Sequence, residues 1–138
     1  MLTTVSPPWV YALRLPRDPR SAGLARRAVR AVLEAHRLGG LGHDAGLLAS
    51  ELVTNAYRHT EGSYGLRLRA PGRGRLRLGV WDTSPEVPPP FSGLPRRPDA
   101  SAEGGRGLCL VAVCADAWGH SALPGGGKLL WVEVGGSR

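Results

Sequence analysis

The sequence predicts an α/β fold, an α+β two-layer sandwich in which a mixed, mainly antiparallel sheet carries helices on one face. Three observations predict it. Two stretches, over about 18–38 and 41–59, repeat apolar residues at helical spacing. Two pairs of alternating segments are each joined by a turn of proline and glycine: Tyr64 to Ala70 with Arg75 to Trp81, and a short segment after Gly119 with Lys128 to Val134. The first pair sets Leu66, Leu68, Leu76, Leu78 and Val80 against arginines, so one sheet face asks for a helical cover and the other for solvent.

Met1 to Pro8 carries no pattern and reads as a loose start. Trp9, Tyr11, Leu13 and Leu15 then alternate with Val10, Ala12 and Arg14 as a first strand closed by Pro16. Asp18-Pro19 offers an N-cap and a proline at the first helical position, and Leu24, Ala28, Ala31, Ala35 and Leu38 supply an apolar stripe up to Gly39-Gly40. Arg20, Arg26, Arg27, Arg30 and Arg37 read as the solvated face of that helix, with a partner-binding surface as the alternative. A second helix runs from Leu41 or His43 to His59. Pro71 to Gly74 makes the first hairpin turn and Pro124 to Gly127 the second. Between Ser84 and Glu103 the chain is rich in proline, serine and charge without periodicity, as in a lid, a binding loop or a disordered segment. It ends in Gly104-Gly105-Arg106-Gly107, which opens onto Leu108, Val111, Ala112 and Ala115 at helical spacing. Exposed N–H groups at such a junction favour phosphate. Gly135 to Arg138 is a tail, and no internal repeat occurs.

The 138 residues suit a single domain over 1–138. A net charge of +7 favours anionic partners without choosing among them, and Lys128 is the only lysine. No signal-peptide pattern or membrane-spanning apolar run is present, so a cytoplasmic location is expected. Cys109 and Cys114, five apart, match neither CxxC nor a zinc pattern and read as reduced packing thiols. The arginine face of the hairpin, with Arg67, Arg69, Arg75 and Arg77, is basic enough for nucleic acid. A stacking platform would also need aromatics between the arginines, and the hairpin pattern does not supply them, so no nucleic-acid partner is expected.

The residues that suggest chemistry lie on the second helix. Glu51, Asn55 and His59 recur at i, i+4 and form one polar face, while Leu48, Leu52 and Ala56 form the neighbouring apolar stripe. Taken singly, each candidate has a plain structural explanation: Glu51 and Asn55 as a surface or buried structural pair, Asp82 as a strand-ending turn residue, His59 as a helix C-terminal charge and Lys128 as a solubilising charge at a strand edge.

Taken in order, the pieces resemble the GHKL ATPase superfamily, whose ATP site, the Bergerat fold, is built from an N-box helix and two glycine boxes. Glu51-Leu52-Val53-Thr54-Asn55-Ala56 is similar to the N-box, Asp82-Thr83-Ser84-Pro85 to a degenerate G1 box, and Gly104-Gly105-Arg106-Gly107-Leu108 to the G2 box. In its length, and in lacking dimerisation, sensor and transmembrane segments, the chain most resembles the bacterial anti-sigma-factor serine/threonine kinase branch. The resemblance implies ATP and Mg2+ as cofactors, Asn55 as the single protein ligand of the metal, and Glu51 as the carboxylate that activates a water or a serine hydroxyl. It implies Asp82 as the acceptor of the adenine amino group, with Ser84 beside it. Backbone N–H groups at Gly104, Gly105 and Gly107 would approach the phosphates, with Arg106 available for charge, Leu108 completing the nucleotide-binding loop and residues 84–103 as the ATP lid. Implied partners are a sigma factor and an anti-anti-sigma (STAS-type) protein that is phosphorylated, with no membrane, and a homodimer, since members of the family often pair. Two positions depart from the family pattern: Ser84 stands in place of a glycine, and Leu129 in place of a threonine that supports the adenine aspartate. They favour the alternative function, a non-catalytic protein-binding module that acts by sequestration with weak or no ATP binding.

Overall fold

The computed structural model describes residues 9–72, 74–93 and 108–135; the expected loose start over 1–8 and residues 94–103 of the expected lid lie outside them. Among the described residues five strands, β1 (Val10–Leu15), β2 (Tyr64–Arg69), β3 (Arg75–Asp82), β4 (Ala117–Ala122) and β5 (Lys128–Gly135), form one sheet in the order β1-β2-β3-β5-β4. All four pairings are antiparallel, so the described sheet has no parallel component. Helices α1 (Ser21–Ala35) and α2 (Gly42–His59) cover one face, followed by the short α3 (Cys109–Cys114). The fold class is the α/β two-layer sandwich that the leucine face asks for.

The core forms where that face meets the helices. Leu66, Leu68, Leu76, Leu78 and Val80 from the hairpin and Leu130, Val132 and Val134 from β5 are buried against Leu48, Leu52, Val53 and Ala56 of α2. At roughly 25 cal/mol per Å2 of apolar surface removed from water, these contacts are the main force that seats α2 on the sheet. Helix α1 packs one residue out of the expected register. Its buried stripe is Ser21, Ala25, Val29 and Leu33, whereas Leu24 is exposed. The i, i+4 row that contains Val29 and Leu33 buries more apolar volume than the alanine-rich row of Leu24, Ala28, Ala31 and Ala35. The regular helix starts at Ser21, and Asp18 stands ahead of it as the sequence suggests: its carboxylate accepts from Arg20 N at 2.8 Å and its carbonyl from Ser21 N at 2.9 Å. The Arg20 guanidinium also pairs with the Asp18 carboxylate at the surface, and its side-chain hydrogen bond lowers the Asp18 pKa to about 2.

Helix α2 is also fixed at its C-terminal end. Arg17 donates to the carbonyls of Thr60 and Tyr57, both at 3.1 Å, and its guanidinium lies 4.6 Å from the centre of the Tyr57 ring. A cation at that point satisfies orphan carbonyls and opposes the negative end of the helix dipole. The hydroxyls of Thr60 and Thr83 are hydrogen-bonded at 2.5 Å, which ties the end of α2 to the end of β3.

On the outer sheet face Arg77 pairs across the ladder with Glu133, and Gly79 with Trp131. The Arg77 guanidinium sits 4.0 Å from the centre of the Trp131 ring, so an aromatic does lie among the hairpin arginines, supplied by β5. Arg75 and Arg77 both donate to Glu133. Burial alone would raise the Glu133 carboxyl, but the two arginines outweigh it and hold the group below the usual carboxylate range. Among the described residues no helix is long and apolar enough to cross a membrane.

Candidate functional site

The polar face of α2 looks onto a cavity of about 270 Å3 lined by Asn55, His59, Glu86, Val87, Pro88, Pro89 and Lys128. One wall is α2. The other is the segment after β3, where Phe91 is buried in the core and Val87 packs against it. Asn55 is 7% exposed, and no hydrogen bond among the described residues engages its amide, which leaves its oxygen available to the cavity. Glu51, one turn earlier on the same face, is half-buried and makes no ion pair among the described residues. His59, which the sequence suggests only as a helix C-terminal charge, is a lining residue one turn beyond Asn55.

At the floor of the site, register decides the chemistry. Asp82 of β3 lies opposite Lys128 of β5, and both are buried, at 2% and 3% exposure. Lys128 Nζ donates to Asp82 Oδ1 at 2.8 Å, to Asp82 Oδ2 at 3.1 Å and to the Ser84 carbonyl at 3.1 Å, which uses all three ammonium protons. Ser84 N donates to Asp82 Oδ1 at 2.9 Å, and the Ser84 hydroxyl accepts from Glu86 N at 3.3 Å. Ser84 therefore acts through its backbone, and its side chain only braces the turn. Gly127 makes this junction possible: a Cβ there would stand 2.3 Å from the Asp82 carbonyl oxygen, and its φ of +89° suits glycine alone.

The expectation that Lys128 is a solubilising edge charge is overturned, because β5 is an interior strand flanked by β3 and β4 and the lysine is buried. The expected absence of a side chain supporting Asp82 at Leu129 is likewise corrected. Leu129 pairs with Trp81 and, by the alternation of the strand, faces the outer side; the residue facing Asp82 is Lys128. Leu108 is buried in the apolar core, so only its backbone remains to meet a ligand. Gly104, Gly105, Arg106 and Gly107 lie outside the described residues. Burial, and then the Asp44 charge, pushes the Cys114 thiol up, in keeping with a packing thiol.

A helix with a buried amide facing a cavity, and an aspartate at the end of the third strand, now stand at the intervals the sequence presents. Residues 15–132 match the histidine kinase-like ATPase domain model. The chain belongs to that family. Among curated proteins no relative matches it. Histidine kinase-like ATPase domains generally bind ATP with Mg2+. The Asn55 amide, nearly buried yet lining the cavity, is an oxygen donor that fits an ion whose other ligands would be phosphate oxygens and water.

Proposed function

We propose that this histidine kinase-like ATPase domain binds Mg-ATP in the cavity beside α2 and acts as a regulatory protein kinase of the anti-sigma type. The observation that carries the reading is the Asn55 amide, buried yet open to the cavity, one turn after Glu51 on a helix locked to the sheet. Asn55 would hold the metal that arrives with the triphosphate. Glu51 would take the proton of an attacking hydroxyl as its oxygen bonds to the γ-phosphorus and the bond to the bridging oxygen of ADP breaks. The hydroxyl belongs to a serine or threonine of a STAS-type antagonist, and the regulated partner is a sigma factor. The test is transfer of labelled γ-phosphate to a STAS-type protein encoded near this chain. Transfer that Glu51→Ala reduces by about a hundredfold or more supports general-base catalysis; the absence of transfer, or an unaffected variant, contradicts the kinase claim.

A second reading, a module that works by sequestration without catalysis, is favoured by the ion pair that occupies the Asp82 carboxylate. Sigma-factor binding that survives Glu51→Ala and Asn55→Ala, with no phosphotransfer, selects it.

A further inference from the structure

The outer face of the sheet, turned away from the helices, is built from rows that the strand register fixes. Arg14, Gly65, Trp81, Leu129 and Ser121 lie side by side in one row, and Ala12, Arg67, Gly79, Trp131 and Gly119 in the next. A third row sets Arg69 and Arg77 beside Glu133. Both tryptophans lie over glycines. A Cβ at Gly65 would stand 2.6 Å from the Trp81 indole nitrogen, and one at Gly119 would overlap the Trp131 ring, so Trp81 leans towards the β1 edge and Trp131 towards the β4 edge. Glycine weakens a strand interior, and here it makes room for each indole to spread over the sheet, half-buried. An arginine attends each ring: the Arg14 guanidinium is 5.9 Å from the centre of Trp81, and that of Arg77 is 4.0 Å from the centre of Trp131.

Charge on this face is one-sided. Arg14, Arg67, Arg69, Arg75 and Arg77 stand against a single acid of these strands, Glu133, whose two oxygens are already taken by Arg75 and Arg77. Arg67 and Arg69 make no ion pair among the described residues. The ATP reading uses the opposite side of the sheet and leaves all of this unexplained.

We propose that the outer sheet face binds single-stranded RNA: bases stack on the two indoles and the guanidiniums beside them, while Arg67 and Arg69 take phosphates. The hairpin alone offers arginines without a stacking platform; the folded sheet supplies one from the end of β3 and from β5. A duplex keeps its bases stacked on one another and out of reach of a flat sheet. An acidic peptide would satisfy the arginines and leave the indoles without planar partners. The exposed Ser121 hydroxyl, two residues along β4 from the glycine under Trp131, is a partner for a ribose 2′-hydroxyl and favours RNA over DNA.

The experiment is fluorescence anisotropy of the full chain with labelled oligouridine RNA of about ten nucleotides, beside the DNA of the same sequence, a double-stranded RNA of equal length and polyglutamate as competitor. The RNA is expected to bind more tightly than the other three, with log affinity falling against log salt by roughly 0.7 per neutralised phosphate. Arg67→Ala with Arg69→Ala should lower that slope by about 1.4. Trp81→Leu and Trp131→Leu should each weaken binding about fivefold or more at unchanged slope. Absence of RNA binding overturns the inference, as does DNA, duplex or polyglutamate bound as tightly as the RNA. A loss in the arginine variant with both tryptophan variants unaffected makes the face a plain charge patch and overturns it too. The comparison of ligands on the wild-type chain needs no variant to fold, and its outcome is independent of whether ATP binds.

Discussion

Strands β3 and β5 are joined by ion pairs on both of their faces, and the two differ in almost every respect. On the inner face Asp82 and Lys128 meet one to one, 2% and 3% exposed, at the floor of a cavity. On the outer face Glu133 is held by Arg75 and Arg77, whose side chains are 45% and 30% exposed. The outer cluster has a spare cation and water at hand, so losing one member leaves the rest solvated. The inner pair is buried and has no second cation among the described residues, so each member depends on the other. A buried charge pair adds little net stability but is costly to break.

The largest effect should come from breaking the inner pair. Lys128→Met or Asp82→Asn alone is expected to cost about 3–5 kcal/mol in urea denaturation, because each strands a buried partner. The double variant Asp82→Asn with Lys128→Met should recover most of that loss. Additive losses would mean that the two groups are solvated independently. Glu133→Gln is the outer counterpart and should cost only about 1 kcal/mol at pH 7, given the exposure of its arginines.

That difference has a pH signature. The fold depresses the Glu133 pKa, so its contribution is present above the unfolded value of about 4.3 and is lost as pH falls through the lower folded value. The stability gap between wild type and Glu133→Gln should therefore close below about pH 4; a gap that widens in acid contradicts the assignment. The smallest effect is expected from Leu129→Thr. On the outer face it cannot reach Asp82, so ATP affinity should change by less than about twofold. A tenfold change would place residue 129 in the site after all.

Much of this arrangement is legible in the sequence, and the failures have physical causes. Helix α2 reads correctly because Leu48, Leu52 and Ala56 form a stripe with a single period, and Glu51 and Asn55 interrupt it where a core helix would not. Helix α1 reads one row off because alanine marks an apolar position without revealing which row packs deepest. Lys128 misleads for a longer-range reason. Whether β5 is an edge or an interior strand depends on its pairing with β3, some fifty residues earlier, and no local pattern carries that information. Once the pairing is known, alternation along the strand gives Lys128 to the cavity and Leu129 to the outer face, and a slip of one residue exchanges them. The Trp131 ring beside Arg77 escapes a reading of the first hairpin for the same reason.

The claim on which the rest depends is that the α2 cavity holds Mg-ATP through Asn55. Calorimetric titration of wild type and Asn55→Ala with ATP, with and without magnesium, tests it most directly. Micromolar binding that requires magnesium and weakens about tenfold or more in Asn55→Ala, in a variant that melts like the wild type, is the expected result. Binding that ignores both magnesium and Asn55, or no binding at all, would contradict it.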